Sequence, residues 1–482
     1  MLRWLDHLER PEALPVFPRR LLAVAMVGIA IAYSVSIGFI LARGNSRLAL
    51  MLIVLPLLPI AISFASRYFA TIVLILPLTA LMLRMVNIPV GNASEMPISM
   101  VIALGLVGMW LTGMLIRRRW EVTPTPFNRV LLAFMAVCIV SMPWGIVWAD
   151  PILNWRIVGN NFRVVQSASL LSLLALMWVP FMVARFIDRP WKIWFYLWSF
   201  IACGAMMTAT QFFSIPQIFL NDRGLWGLWF AVPLAGLVIV YPHTPWYGKL
   251  AGAALLGWHL YIVAVKNSLW VSGWLPTLAG LFALLFLHSR KLFVVILIIA
   301  IPYAVIGPGR DYLEKVTADN IEEGSSGRLE IWERNMGIVR EHWLFGTGPA
   351  GYAPYNMTYF PWDARSTHNN YFDILAQFGV IGAGLWLWFM GASLWYGWRT
   401  VQITPPGLLR TVAIVATAGW AGALVSMVFG DWMLPFVYNQ GIAGFSYAAY
   451  NWLFLGLLIV VRQMAEQHTQ SVVTSGASAQ EA

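Results

Sequence analysis

Long apolar stretches alternate with short polar breaks along almost the whole chain. A helix needs about 20 apolar residues to cross a bilayer, and fourteen stretches approach that length. They run over 21–42, 48–64, 69–88, 97–116, 130–148, 166–184, 193–214, 225–241, 249–265, 269–287, 292–306, 371–397, 411–429 and 438–461. Tight connections leave the count open between twelve and fourteen. The pattern predicts an all-α polytopic membrane protein. Its segments are an N-terminal piece 1–20, eleven spans in 21–306, one long polar loop 307–370, three spans in 371–461 and a polar tail 462–482.

Composition supports this. Of the 482 residues, 60% are hydrophobic and 11% charged, with a mean hydropathy of +0.71. Soluble chains of this length do not show that balance, so lipid is the solvent for most of the protein. The 26 tryptophans suit rings that anchor helix ends at the headgroup level. Cys138 and Cys203 lie inside apolar runs and point to neither a disulfide nor a metal site. Residues 1–20 show no secretory signal with a small-residue cleavage site. Leu2, Trp4, Leu5 and Leu8 alternate there with Arg3, Asp6, Glu9 and Arg10, a short amphipathic piece suited to the membrane surface or cytoplasm. The Ser-, Gln- and Ala-rich tail after Arg462 favours disorder.

The net charge of +10 is scattered between spans rather than gathered on a soluble domain, which argues against nucleic acid as a partner. Placing the N-terminus in the cytoplasm, behind Arg19 and Arg20, puts the main basic clusters on one side. These are Arg117, Arg118 and Arg119, then Arg185, Arg189 and Lys192, then Arg290 and Lys291, then Arg399, Arg410 and Arg462. That bias fits a cytoplasmic N-terminus and an even number of spans. The 307–370 loop then faces the other side. No internal repeat or pair of broken helices marks a secondary transporter.

Within the loop, Leu329, Trp332, Met336, Val339 and Trp343 recur at helical spacing, which predicts a surface helix over Arg328–Trp343. Ser325, Ser326 and Gly327 supply cap chemistry, and Gly346 a stop. Gly346-Thr347-Gly348-Pro349 lacks the Lys-Ser/Thr ending of a phosphate loop and reads as a tight turn. Tyr352, Tyr355, Tyr359, Phe360 and Trp362 suit either sugar stacking or seating at the membrane interface.

Candidate chemistry gathers near the loop's end. His368 precedes a span, and an imidazole can move protons near neutral pH. Asp363 and Asp373 flank it and are candidates to orient the ring. His342, beside Trp343, reads as structural. Outer-side basic residues run against the charge bias: Arg156, Arg163, Arg223, Lys266, Arg310, Arg328, Arg334, Arg340 and Arg365. Arg223 and Lys266 border spans in short connections, where they suit an anionic phosphate. The sequence offers no glycosidase-type carboxylate pair, His/Cys/Glu metal cluster or Gly-x-Ser-x-Gly element.

His368-Asn369, followed after nine residues by Gly379-Val380-Ile381-Gly382, resembles the His-[Asn/Ser/Gln]-x9-Gly-x-x-Gly motif of the O-antigen ligase and polymerase superfamily. Arg328-Leu329-Glu330-Ile331-Trp332 resembles that family's Arg-x-x-x-Trp element, and Gly346-Thr347-Gly348 its Gly-x-Gly turn. The clear similarity covers about 325–395.

This resemblance implies a GT-C-like glycosyltransferase in a bacterial cytoplasmic (inner) membrane, working on its periplasmic or extracytoplasmic face. It would need no cofactor and no metal. The donor would be a glycan on polyprenyl pyrophosphate, and the acceptor a hydroxyl on a glycan, lipid or protein. His368 would be the general base, with Arg328, Arg223 and Lys266 on the pyrophosphate. Lys266 stands where the family commonly carries arginine, so it brings charge without the guanidinium fork. Ligase and repeat-unit polymerase both remain open, as does protein O-glycosylation. A transporter or channel is the rival from another class. It predicts ionisable groups deep within spans, whereas Arg84 lies near a span end. A non-catalytic assembly scaffold is a third reading.

Overall fold

The computed structural model describes residues 34–36, 57–91, 94–153, 162–215, 219–267, 271–307, 309–310, 314, 326–362 and 366–480. The 1–20 segment, most of the stretches at 21–42 and 48–64, and Arg156, Asp363 and Arg365 lie outside them. The chain forms two compact units, Met1–Phe69 and Ala70–Ala482. The first contains α1 (Leu57–Arg67).

The second unit begins within α2 (Phe69–Met82), at Ala70, and continues into a small antiparallel hairpin, β1 (Asn87–Gly91) and β2 (Ser94–Pro97), which pairs Asn87 with Pro97 and Ile88 with Met96. Helices follow: α3 (Ile98–Arg117), α4 (Asn128–Val147), α5 (Phe162–Phe186) and α6 (Pro190–Phe212). Next come α7 (Trp226–Ala235) and α8 (Trp246–Tyr261), each running into a π-helical turn, Gly236–Val240 and Ile262–Lys266. Then come α9 (Val271–His288), α10 (Arg290–Val305), α11 (Ser326–Glu341), α12 (Ala353–Tyr359), α13 (Asn370–Ile403), α14 (Leu408–Ser426) and α15 (Gly444–Gln480).

Among the described residues, nine helices are long and apolar enough to cross a membrane: α3, α4, α5, α6, α8 with its π turn, α9, α13, α14 and α15 as far as Gln470. This is a mostly helical polytopic membrane protein; the first two of the fourteen predicted stretches lie mostly outside the described residues. The stretches at 69–88, 225–241 and 292–306 do form helices, but short ones: 14 residues in α2, 16 in α10, and Trp226–Val240 for α7 with its π turn. The apolar run at 69–88 ends early because β1 claims its last residues. The tail read as disordered carries the backbone of α15 on to Gln480.

The apolar stretch of α15 is wholly enclosed by other helices. Since lipid tails are as apolar as leucine, close packing holds such helices together, and small residues let backbones approach. At Gly456 a side chain would collide with Val183 and the Pro180 carbonyl of α5; at Gly422 of α14 it would collide with the Pro276 carbonyl of α9. Trp386, Phe389, Trp420 and Trp452 form a buried ring cluster. Two of their indole donors find acceptors inside: Trp452 bonds the Met433 carbonyl and Trp420 the Ser393 hydroxyl.

The helices bring chain-distant residues together at two ends. At one end Arg84 pairs with Asp222 at 2.6 Å, Asn221 N–H donates to the Leu81 carbonyl, and Tyr359 donates to Asp150. At the other, Glu121 pairs with Arg117 and Arg185, and Gln463 donates to Thr123. The basic clusters read from the sequence as cytoplasmic flank this second end.

Candidate functional site

The site is built where α13 begins, at the first of these ends. Asn369 is the N-cap of α13, its side-chain oxygen accepting from the N–H groups of Tyr371 and Phe372 at 2.9 and 3.3 Å. His368 precedes the cap with a φ of 49°. A non-glycine residue there carries backbone strain, which persists only where surrounding contacts over-determine it.

Those contacts are on both sides. Thr367 is completely buried, and its hydroxyl donates to Asp373 at 2.6 Å. Tyr352 donates its hydroxyl to the same carboxylate oxygen at 2.6 Å, and Asn370 reaches the second oxygen at 3.3 Å. Trp332 of α11 donates its indole N–H to the Thr367 carbonyl at 2.9 Å and stacks on Phe372. Asp373 therefore holds the side chain of Thr367, the residue before His368.

The ring itself faces the connection between α14 and α15. His368 Nδ1 lies 3.5 Å from the Asn439 side-chain nitrogen, which donates to Asp431 at 2.7 Å. Such a long approach orients the imidazole without fixing which nitrogen carries its proton. Asp431 is buried, and it also accepts from Gln440 at 3.1 Å and from the Phe436 N–H at 2.9 Å. Three donors compensate its desolvation, yet burial still holds its pKa above the ordinary carboxylate value. Asn370 ties this connection to α13: its side-chain oxygen accepts from the N–H groups of Met433 and Leu434, both at 3.1 Å.

Gly379 breaks α13 with φ 65° and ψ −169°. The break releases the Ala376 and Gln377 carbonyls, which accept from the N–H groups of Thr347 and Gly348 at 2.9 and 2.8 Å. In return, Val380 N–H donates to the Trp343 carbonyl at 2.8 Å. The approach excludes side chains: a Cβ at Gly379 would stand 2.3 Å from the Leu344 oxygen, and one at Gly346 would stand 2.4 Å from the Gln377 carbonyl carbon. The two glycine motifs thus interlock and carry α11 and the residues after it onto α13. At Gly382 a side chain would meet that of Phe378.

α11 spans nearly the predicted residues, with Ile331, Asn335, Ile338 and Val339 buried. His342 is buried and within 2.7 Å of the Tyr355 hydroxyl, as a structural histidine would be. Burial lowers its pKa from the ordinary 6.5. In the aromatic run, Tyr352 and Tyr355 are buried, Tyr352 stacking on Phe436. Trp362 stays 76% exposed.

The predicted cations are only partly gathered. Arg223 lines a 370 Å³ pocket with Arg84, Asn87, Glu95, Ser446 and Tyr447. Ala443, four residues beyond Asn439, closes the same pocket, so the α14–α15 connection links it to His368. Lys266 ends the π turn after α8 with its ammonium 5.5 Å from the Phe212 ring centroid. Among the described residues, no contact joins it to Arg223 or His368. The backbone of Arg328 is in the first turn of α11. Arg163, Arg310 and Arg340 are exposed, and Arg334 pairs with Glu330 over the Phe360 ring. Among the described residues, no three His, Cys, Asp or Glu side chains cluster as metal ligands would.

The sequence reading missed Asp431, Asn439 and Arg84. Asp431 had a visible signal, as the one charged residue in the short break between the last two apolar stretches.

Residues 162–387 match the family model described as O-antigen ligase. The match supports the O-antigen ligase superfamily, which the histidine and glycine motifs resemble. It takes in Arg223, Lys266, Arg328, His368, Gly379 and Gly382, and ends before Asp431 and Asn439. None of the curated proteins compared with the chain matches it.

Proposed function

We propose, with the O-antigen ligase superfamily as premise, that this chain is a glycosyltransferase acting at the outer face of a bacterial cytoplasmic membrane. It moves a glycan from a polyprenyl-pyrophosphate donor to an acceptor hydroxyl. The observation that carries this reading is the strained His368, fixed at the mouth of α13 by a buried network, with Asn439 and Asp431 behind its ring. Such investment in one titratable side chain suits proton transfer.

In the proposed reaction His368 takes the proton of the acceptor hydroxyl as its oxygen attacks the anomeric carbon. The bond from that carbon to the pyrophosphate oxygen breaks, and the pyrophosphate leaves with the electron pair. The proton on the imidazole then passes to the departing phosphate or to solvent. Cations meet the leaving charge: Arg223, joined by Arg84 in the same pocket, with Arg328 and Lys266 as further phosphate contacts. With that charge met by side chains, the step requires no metal or cofactor. The lipid tail stays in the bilayer while the headgroup enters at the helix ends.

Ligase and polymerase differ in acceptor, and a product gel separates them. Purified protein is given its lipid-linked oligosaccharide alone or with candidate lipid and protein acceptors, beside His368→Ala. A ladder from donor alone, absent in the variant, identifies a polymerase; one shifted band requiring an added acceptor identifies a ligase. Identical products from wild type and variant would remove His368 as the base.

A further inference from the structure

A second cavity lies away from the site, at the opposite end of the bundle. It measures about 630 Å³. We propose that it binds the headgroup of an anionic glycerophospholipid, with Arg399 and Arg462 on the phosphate.

Placement favours a lipid. Trp395, Tyr396 and Arg399 come from the last turns of α13, Arg462 to Gln470 from the end of the enclosed stretch of α15, and Thr123 to Pro126 from the connection into α4. Helix ends of this kind lie at headgroup depth. Trp395 is 56% exposed, and Trp388, seven residues earlier on the same face, is 64% exposed. This apolar strip leads from the cavity along α13 toward the bilayer interior, as an acyl chain requires.

Charge favours an anion. The lining holds two arginines and one carboxylate, Glu466, which pairs with Arg462. Arg399 makes one long contact among the described residues, 3.5 Å to Gln402, so its fork is available to a phosphodiester. Arg118 and Arg119 are exposed on the same end and raise the local positive potential. Gln467 and Thr125 on the wall offer amide and hydroxyl partners for a polyhydroxylated headgroup.

The walls are held by the protein's own contacts. Asn128 donates to the Thr123 carbonyl at 2.8 Å, Gln463 to the Thr123 hydroxyl at 2.9 Å, and the Arg462 guanidinium lies 5.7 Å from the Tyr396 ring centroid. A preformed pocket loses less entropy on binding.

The test uses the full chain in nanodiscs of phosphatidylcholine, with phosphatidylglycerol titrated in. It reads lipid adducts by native mass spectrometry and the thermal midpoint. Wild type should retain one phosphatidylglycerol and gain a few degrees. Arg399→Gln/Arg462→Gln should lose both while matching wild type in phosphatidylcholine alone. Arg118→Gln/Arg119→Gln should retain both. Arg399→Gln alone, which leaves the Arg462 contacts intact, should weaken retention. Equal behaviour of the two lipids, or full retention by Arg399→Gln/Arg462→Gln, would overturn the site. Glycerol phosphate or inorganic phosphate giving the same gain without lipid would overturn the lipid assignment.

Discussion

His368 owes its position to groups outside the reacting atoms. Asp373 holds the side chain of Thr367, the residue before it, and Asn439, anchored on Asp431, backs the ring. Removing the backing should therefore slow chemistry and leave donor binding alone. Asn439→Ala is expected to lower kcat by up to about 10²-fold, the scale of a misplaced catalytic group, with KM nearly unchanged. A rise in KM at constant kcat would make Asn439 a binding residue instead. The histidine was legible in the sequence because the motif is local. Its backing was not, because Asn439 reaches His368 only after the chain has passed through α13 and α14. His342 makes a different prediction. Burial depresses its folded pKa below the ordinary 6.5, so between those two values the unfolded chain binds more protons. Its stability contribution is present above pH 6.5 and falls as pH drops through that window. The thermal midpoint of wild type should thus decline more steeply from pH 7 to 5 than that of His342→Gln, which keeps a polar partner for Tyr355 but does not titrate. Parallel declines would show that the depressed histidine does not govern this acid sensitivity.

At the scale of elements, the glycines of the motif are where two segments are joined. Gly379→Ala forces on alanine a positive-φ extended backbone that only glycine readily adopts, costing about 1–3 kcal/mol, and drives a methyl into the Leu344 carbonyl. The loop's hydrogen bonds to α13 would be lost with it, for a total above about 3 kcal/mol. Gly384 lies in the same helix with nothing within 4 Å of an added Cβ, so Gly384→Ala should be neutral or slightly stabilising. Thermal unfolding in detergent of the two variants checks this. Equal midpoints would mean that the interlock does not hold the loop. The turn over Gly346 to Gly348 was legible from its residue types, but its partner was not, because nothing local says that Gly379 opens the α13 ladder to receive it. Helix length was similarly half-legible. Apolar composition marks α2, α7 and α10, but not where they stop. A hairpin closes α2 early, a π turn ends α7, and α10 runs only from its Ser289 cap to Val305.

For the molecule as a whole, the charge pattern is the strongest argument about orientation, and the fold makes it testable. Arg84, Asp150, Asp222 and Arg223 meet at the His368 end, while Arg117, Arg185, Arg399 and Arg462 meet at the other. The sequence could assign these sides only by counting basic residues between stretches. The basic residues nevertheless gather at one end of the described helices. Under the positive-inside bias, the His368 end faces away from the cytoplasm. The two native cysteines are buried, so a single introduced cysteine reports its own location. Trp362→Cys, at a position 76% exposed near the site, should react with a membrane-impermeant maleimide on intact spheroplasts. Arg119→Cys, exposed at the other end, should react only after permeabilisation. The reverse pattern would place His368 in the cytoplasm. A donor already flipped to the outer leaflet could not then reach it, and the proposed reaction would have to be abandoned even if the protein still made product.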